Sequence, residues 1–412
     1  MKLFLFLFLP FYLFAVDATL KIETDVENRT RIAIMDGSST NTNYIFKIFF
    51  SDLKISGHFL PDREYYKGNS KSHYILPILK SKEYVLKYNL VHTKRTTLIV
   101  HLLNASNGEE IFKNNYSISD SAKVPFLIHK AVNDINNILH YPSIAWINRY
   151  IIYAVYTTSG KSEIRLADYT FSYTKTMIKG GLFLFPKWAD KKQQSIYYSD
   201  YDKRYPTLYR LNIYTGKKEK ILSSEGMIVC SDVNHNNSKI LVTMAPEGQA
   251  DIYEYNLRTK TKKRVTKFSG IDVNGRYLKG ENSIVFVSKR LGYPNIFMKS
   301  LRSNRVSKIV YHGRNNSACD AYNNTIIYSS KQTNNTFGRN TFNIYKTSLT
   351  GEDTTPLTVT GKNQFPRFSS NGEVVLYLKQ KANNTVIGYS NLTTQQSLLF
   401  PFAKSKLQSI DW

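Results

Sequence analysis

A short run of β-branched and aromatic residues recurs six times along the chain, and this repeat constrains the fold more than any other sequence feature. The runs begin at Ile151, Ile196, Ile240, Ile284, Ile326 and Val375, at intervals of 45, 44, 44, 42 and 49 residues. Self-similarity at such a period is typical of repeat folds such as solenoids and propellers. We therefore expect the second part of the chain to contain six copies of one structural unit.

Within each copy the pattern indicates four strands. A second apolar run follows the first by 12 or 13 residues in five copies, and by 18 in the fifth, where residues 332–341 insert a polar loop. One strand precedes the first run, as in Phe185-Pro186-Lys187-Trp188, and another follows a turn such as Thr215-Gly216. Four strands per unit of about 44 residues are typical of propeller blades. The sequence thus predicts a mainly β protein with a six-bladed β-propeller over residues 143–412.

The final residues predict how the ring of blades closes. Ser409-Ile410-Asp411-Trp412 has the pattern of a blade's first strand, yet no further blade follows it. Trp146, the local candidate in blade one, precedes Ile151 by only 5 residues, whereas the matching aromatic residues of blades two and six precede their runs by 8 and 7. We therefore expect the C-terminal segment to supply the inner strand of blade one; a frayed tail is the alternative.

The residues before the repeat predict an export signal and a small α/β domain. Lys2 and the apolar run Leu3–Phe14 are typical of a signal peptide over residues 1–15, and the run is too short to span a bilayer. An uncleaved anchor is the alternative. For the domain over residues 16–142, the apolar pattern predicts strands at Ile32–Met35, Tyr84–Asn89 and Thr97–Leu103. It predicts helices at Tyr44–Leu53 and Ser121–Leu139.

The net charge of +25 does not indicate a nucleic-acid partner. In a nucleic-acid binder, the basic residues gather on one face with aromatic residues between them. Here the densest runs, Lys217–Lys220 and Arg258–Arg264, fall at equivalent places of the repeat, so we expect solvated rim loops. Attraction to anionic envelope polymers stays open. Cys230 and Cys319 lie in repeats that are not neighbours and are expected to be buried free thiols, because a disulfide needs close Cα atoms.

No sequence motif predicts catalysis, a metal site or a cofactor. The hydrolase elbow, the phosphate-binding glycine loop and paired zinc ligands are not found in the sequence. The histidines are scattered, without the spacing of metal ligands. Carboxylates recur near blade starts, where we expect them to accept hydrogen bonds in turns: Asp190, Asp232 and Asp272. A catalytic pair is the alternative.

The domain order, together with Phe185–Lys191, Ser369–Gly372 and Asp411-Trp412, resembles the TolB family, the periplasmic propeller proteins of the Tol-Pal system in Gram-negative bacteria. The resemblance implies a monomeric, non-enzymatic protein of the periplasm with no cofactor and no membrane span. The usual Ser-Pro-Asp-Gly turn is degraded in several blades, as in Ala189–Lys192 and Asn234–Asn237.

Two protein partners are implied by the resemblance. A Pal-like lipoprotein would bind one face of the propeller, and a TolA-like inner-membrane protein would bind the extreme N-terminus; other outer-membrane proteins are further candidates. Family members support outer-membrane integrity and constriction during cell division, and some bacteriocins exploit the same system for transport.

The residues expected on the propeller face lie in loops that end one blade and start the next: Phe183, Leu184, Glu225, Gly226, Met227, Ser269, Gly270, Ile271, Asp272, Arg314, Asn315 and Asn316. Met227, Ile271 and Arg314 are the preferred anchors, because exposed apolar residues beside an arginine are typical of an interface core. Inward packing of Met227 and Ile271 is the alternative.

The expected N-terminal partner site alternates polar and apolar side chains, as does a segment that adds itself to a sheet edge: Asp17, Ala18, Thr19, Leu20, Lys21, Ile22 and Glu23. An ordinary edge strand of the α/β domain is the alternative. Two other function classes also stay open. One is a secreted propeller that binds a small ligand or glycan in its channel; the other is the gating propeller of a serine peptidase, which would need a hydrolase domain.

Overall fold

The structure, a computed structural model, describes residues 29–39, 42–70, 72–331, 341–381, 384–402 and 407–412. The predicted signal peptide and the predicted partner site at Asp17–Glu23 lie outside these residues. In the part of the chain that the structure describes, no helix has the length and apolar character needed to cross a bilayer.

The N-terminal part is an α/β domain built on one sheet with the strand order β2-β1-β4-β5-β6, in which β3 also pairs with β1. Two helices contribute buried apolar faces to its core. The elements are β1 (Thr30–Asp36), α1 (Asn43–Ser56), β2 (Phe59–Pro61), β3 (Tyr66–Lys67), β4 (Tyr84–His92), β5 (Thr96–Asn104), β6 (Glu110–Ile118) and α2 (Val124–Ile138). Short 3-10 helices lie at Pro77–Ser81, Ser121–Lys123 and Ala145–Asn148.

The described residues from Ile151 onwards form four four-stranded sheets and one eight-stranded sheet, in which two such units are joined by the parallel pair Phe342 and Lys362; this arrangement is consistent with the predicted six blades. The strands are β7 (Ile151–Thr158), β8 (Lys161–Ala167), β9 (Thr174–Gly181), β10 (Phe183–Trp188), β11 (Ser195–Asp200), β12 (Thr207–Asn212), β13 (Lys218–Ser223), β14 (Ile228–Val233), β15 (Lys239–Met244), β16 (Asp251–Asn256), β17 (Lys262–Arg264), β18 (Asp272–Tyr277), β19 (Ser283–Ser288), β20 (Asn295–Ser300), β21 (Val306–Lys308), β22 (Arg314–Tyr322), β23 (Thr325–Lys331), β24 (Phe342–Thr347), β25 (Thr355–Pro356), β26 (Lys362–Phe368), β27 (Val374–Lys381), β28 (Asn384–Asn391), β29 (Ser397–Pro401) and β30 (Leu407–Asp411). The first recurrent run forms the second strand of every blade, as predicted, and the second run forms the third strand.

The C-terminal strand closes the ring, which confirms the sequence prediction. β30 pairs antiparallel with β7, with Asp411 opposite Ile152, and gives blade one the order β30-β7-β8-β9. Trp146 does not form this inner strand; it lies in the 3-10 helix before β7 and packs edge-on against Trp412, with ring centroids 5.3 Å apart. Trp412 also contacts Tyr389 of blade six at 5.5 Å, so the last residue joins the two ends of the ring.

A buried polar cluster, Asp52, His129 and Asp168, joins the α/β domain to the propeller. His129 of α2 lies between the two carboxylates. Its Nδ1 is 2.8 Å from Asp52 in α1, and its Nε2 is 3.2 Å from Asp168, which follows β8. All three side chains are fully buried. Because both ring nitrogens face carboxylates, the geometry favours the doubly protonated imidazolium.

The charges of this cluster depend on one another. Burial opposes a charge on the imidazole, but Asp52 and Asp168 outweigh it and raise the pKa of His129 to about 9. Burial raises the pKa of Asp52 despite its contact with His129. Burial acts on Asp168 in the same direction, but His129, together with hydrogen bonds from Thr170 and Tyr173, outweighs it and lowers the pKa of that carboxyl. The cluster therefore fixes the position of both helices on blade one.

The two cysteines behave as the sequence predicts. Cys230 in β14 and Cys319 in β22 are free and buried. Burial raises the pKa of both thiols, to about 12 for Cys319, so thiolate is scarce at neutral pH.

Candidate functional site

The first strands of the blades, β10, β14, β18, β22, β26 and β30, surround the central channel, and each of them contains a register shift against the next strand. Such β-bulges bend a strand and redirect a side chain. In four of these strands the bulge begins with a residue other than glycine at φ between 51° and 58°: Phe185, Asn274, Ala318 and Phe365. Left-handed backbone at such residues is costly and is often found at functional sites.

A charged residue lies two positions after each of these four residues, and the two remaining inner strands each add an aspartate. Together they form a ring of alternating charge around the channel, one residue per blade, which we call the charge ring: Lys187, Asp232, Arg276, Asp320, Arg367 and Asp411. Three cations alternate with three anions, so the formal charges of the ring cancel.

The charge ring is closely connected. Five neighbouring pairs are ion pairs, at N to O distances of 2.9 Å for Lys187–Asp411, 3.1 Å for Arg276–Asp320, 3.7 Å for Arg276–Asp232, 3.8 Å for Arg367–Asp411 and 3.9 Å for Lys187–Asp232. Each aspartate also accepts a backbone N–H from the residue after a cation, namely Trp188, Tyr277 and Phe368, at 2.8 to 2.9 Å. The same contact thus recurs at every second blade and links neighbouring inner strands.

The pKa shifts in the charge ring follow these distances. Burial raises the pKa of Asp232, whose cation partners are 3.7 and 3.9 Å away. Burial acts on Asp320 in the same direction, but Arg276 at 3.1 Å, helped by Arg367, outweighs it and lowers the pKa of that carboxyl. Burial, followed by the like charge of Arg276, lowers the pKa of Arg367. Arg367 is therefore compensated less well than Arg276, whose pKa burial lowers but Asp320 and Asp232 raise above the usual range.

The channel end where the inner strands begin, which we call the upper mouth, contains a cavity of about 310 Å³. Its walls are largely apolar and include Phe185, Met227, Val229 and Phe365. Arg276 and Arg367 lie in its lining, whereas Asp232 and Asp320 line the opposite end of the channel, which we call the lower mouth. The upper mouth can thus accept an apolar group beside a charged one.

The structure places the predicted propeller-face residues in three environments. Met227 is half-buried and lines the cavity of the upper mouth. Ile271 is 40% exposed, and Arg314 is also exposed. Glu225 and Ser269 are exposed, while Phe183, Gly226, Gly270 and Asn315 are half-buried. The three preferred anchors are therefore accessible, and Met227 lies in the cavity itself.

Three predicted face residues have packing roles instead. Leu184 is 8% exposed and belongs to the interior of the propeller. Asp272 is fully buried and pairs with Arg290 at 2.8 Å, within the same blade. Asn316 is fully buried as well and donates to Asn295 at 3.0 Å. Their position in the loops did not predict this burial, because residues next to an inner strand alternate between the mouth and the blade interior.

The prediction that early-blade carboxylates serve turns is confirmed at one position only. Asp190 accepts from the backbone N–H groups of Gln194 and Ser195, both at 3.0 Å. The prediction is wrong for Asp232, which belongs to the charge ring, and for Asp272, which pairs with Arg290. Within the described ranges, no three His, Cys, Asp or Glu side chains come together as a metal site.

The sequence analysis missed two features: the charge ring, and the left-handed bulge residues that precede four of its members. The available signal was the recurrence of a cation before an aromatic residue at equivalent blade positions, in Lys187-Trp188, Arg276-Tyr277 and Arg367-Phe368, with aspartates at the same place in the blades between. The contacts themselves join residues about one blade apart in sequence, or 224 positions apart for Lys187 and Asp411. Their distances could not be derived without the ring geometry.

The fold and the channel define a β-propeller protein with an N-terminal α/β domain. Residues 145–412 match the family described as the TolB beta propeller domain. The chain is 38% identical to the Tol-Pal system protein TolB of Wolinella succinogenes over 435 residues, and 38% identical to that of Campylobacter jejuni over 419 residues, with all of each chain covered. The chain therefore belongs to the TolB family.

A solved structure shares the fold. The crystal structure of TolB from Acinetobacter baumannii superimposes with a TM-score of 0.74 at 20% identity, over 93% of this chain and 96% of that one. The α/β domain and the propeller are thus found together in a solved member of the family.

Proposed function

We propose that this chain is the periplasmic propeller component of a Tol-Pal system and acts by binding proteins rather than by catalysis. A Pal-like lipoprotein would dock on the upper mouth, and a TolA-like inner-membrane protein would bind the N-terminal segment Asp17–Glu23. In this role the chain would link the outer membrane to the inner-membrane proteins and support envelope integrity and constriction during division.

The observation that carries the proposal is the upper mouth itself. Its cavity is lined by apolar side chains and sits inside a rim that carries exposed Ile271 and Arg314. Concave sites with apolar walls and a few placed polar groups are the usual form of binding sites. Family membership supplies the kind of partner, because the relatives are named as Tol-Pal system proteins.

The test is the affinity of the purified chain for the soluble domain of the Pal-like lipoprotein from the same organism. The double variant Ile271→Asp with Arg314→Glu should weaken binding by about 2 kcal/mol or more, about 30-fold, because it places two negative groups in the contact. The matched control is Tyr214→Asp with Lys217→Glu, which makes the same kind of change at an exposed turn between β12 and β13. Circular dichroism establishes that both variants fold. Unchanged affinity in the folded Ile271 and Arg314 variant would remove the upper mouth as the docking site.

The N-terminal site is tested separately. Deleting residues 17–23 should abolish binding of a TolA-like protein and leave the lipoprotein bound, because the two sites use different parts of the chain. If the shortened chain binds both partners as the full chain does, the segment has no direct role in recognition.

A further inference from the structure

The two sides of the charge ring are not equivalent. The cavity of the upper mouth is lined by Lys187, Arg276 and Arg367, with Asp411 as its one ring carboxylate. The other two aspartates, Asp232 and Asp320, line the lower mouth instead, and Lys187 and Asp411 line both mouths. A group that enters from above therefore meets three cations and one anion, although the ring as a whole carries no net formal charge. We call these three cations the cation floor.

The arginines of the cation floor retain unused hydrogen-bond donors. Arg276 is 2% exposed; its Nη1 donates to the carbonyl of Ser231, and its Nε is 3.1 Å from Asp320. Arg367 donates from Nε to the carbonyl of Ile410 at 3.2 Å and from Nη1 to that of Pro366 at 2.9 Å. Among the described residues, the buried Nε of Arg276 has no hydrogen-bond partner despite its distance to Asp320, and the Nη2 of neither arginine donates to a described residue. A guanidinium that is buried with a free donor favours an incoming acceptor.

The charges of the cation floor favour an anionic acceptor. Arg276 and Arg367 are close enough for their like charges to oppose each other, and burial together with this repulsion lowers the pKa of Arg367. An anion between them would relieve the repulsion, and its attraction is strengthened where water is excluded. A neutral acceptor would satisfy the donors without this electrostatic gain.

We propose that the upper mouth receives an acidic side chain, aspartate or glutamate, of the protein that docks there, with its carboxylate on the cation floor. The proposal rests on the proposed function and adds the chemistry of the central contact. The apolar walls formed by Phe185, Met227 and Phe365 suit the methylene groups of such a side chain. A small inorganic anion would lose its hydration against these walls without an apolar part to fill them.

The first test changes only the partner. In the soluble domain of the Pal-like lipoprotein, each exposed aspartate and glutamate is replaced in turn by the corresponding amide, and affinity for the unaltered chain is measured. One replacement should weaken binding tenfold or more, because the amide keeps the shape and loses the charge.

The second test determines whether the partner's carboxylate interacts with the cation floor. Lys187→Gln should also weaken binding about tenfold or more, and the sensitive amide replacement should then cause little additional loss, since the two groups interact. Lys239→Gln is the matched control, because Lys239 pairs with Glu254 at 3.0 Å outside the channel. Thermal unfolding shows whether each variant remains folded.

The outcomes separate this proposal from the one on which it rests. If every amide variant binds as the unmodified lipoprotein does, while Ile271→Asp with Arg314→Glu abolishes binding, the docking face stands and the acidic contact is wrong. If losses from Lys187→Gln and from the amide replacement simply add, the two groups do not interact, and the acidic contact is also wrong. If the unaltered chain does not bind the lipoprotein, both proposals fail.

Discussion

Replacing His129 by alanine should destabilise the protein more than replacing a histidine that pairs with a single carboxylate, such as His101. His129 is the cation between two fully buried carboxylates, Asp52 at 2.8 Å and Asp168 at 3.2 Å. In the variant His129→Ala, Asp52 would keep one hydrogen bond, from Tyr169 at 2.5 Å. Leaving a buried charge without its partner costs about 3 to 5 kcal/mol, and we expect a loss in that range at pH 6.5.

The stability that His129 contributes should depend on pH. Its pKa is about 9 in the folded protein against 6.5 for an ordinary imidazole. A raised folded pKa means that the contribution is fully present below pH 6.5 and is lost as the pH rises to about 9. The shift corresponds to roughly 3 kcal/mol, so the stability gap between wild type and His129→Ala should narrow by an amount of this order across that interval.

Urea unfolding followed by tryptophan fluorescence between pH 6 and 9 measures both effects. His101→Ala is the matched control, because His101 is 2.6 Å from Glu110, a carboxylate that stays partly exposed, and lies within the α/β domain. A His129→Ala variant no less stable than the His101→Ala control, or a stability gap that does not change with pH, would refute the role assigned to the cluster.

Three further outcomes follow from the fold. Removing residues 406–412 should unpair β7 and release the contacts of Asp411 and Trp412, giving aggregation or a markedly lower melting temperature; a soluble protein with unchanged melting would contradict ring closure by β30. Trp412→Ala should lower the free energy of unfolding, measured by thermal unfolding, by about 3 to 5 kcal/mol, since Trp412 is 7% exposed and packs between Trp146 and Tyr389. A decrease below about 1 kcal/mol would show that this packing is unimportant. Cys230 and Cys319 should resist a thiol reagent in the native protein and react fully in denaturant, whereas rapid native labelling would show that they are accessible.

Most of the fold could be predicted because each blade repeats one apolar pattern. The β-branched runs from Ile151 onwards form strands that are buried on both faces, so their signal is strong. β6 was missed because Glu110–Ile118 is an edge strand with several exposed polar residues. The short strands Phe59–Pro61 and Tyr66–Lys67 depend on pairing with β1, which no local pattern reveals.

The candidate site was only partly predictable. The loops of the upper mouth could be located from their place before each inner strand, and Met227, Ile271 and Arg314 are accessible there. The bulges determine which loop residues face the mouth. They depend on residues with left-handed backbone, such as Phe185 and Ala318, and these residue types rarely adopt that conformation. The charge ring needed the closed ring of blades before its members could be recognised as neighbours.

Hydrogen exchange of the chain with and without the soluble domain of the Pal-like lipoprotein tests the central claim most directly, because it reports where the partner docks without altering a residue. We expect slower exchange in peptides that contain residues 225–227, 267–272 and 311–315, around the upper mouth, and unchanged exchange in residues 190–192 and 235–237 near the lower mouth. Protection confined to the lower mouth or the outer rim, with the upper-mouth peptides unchanged, would contradict the proposed docking face.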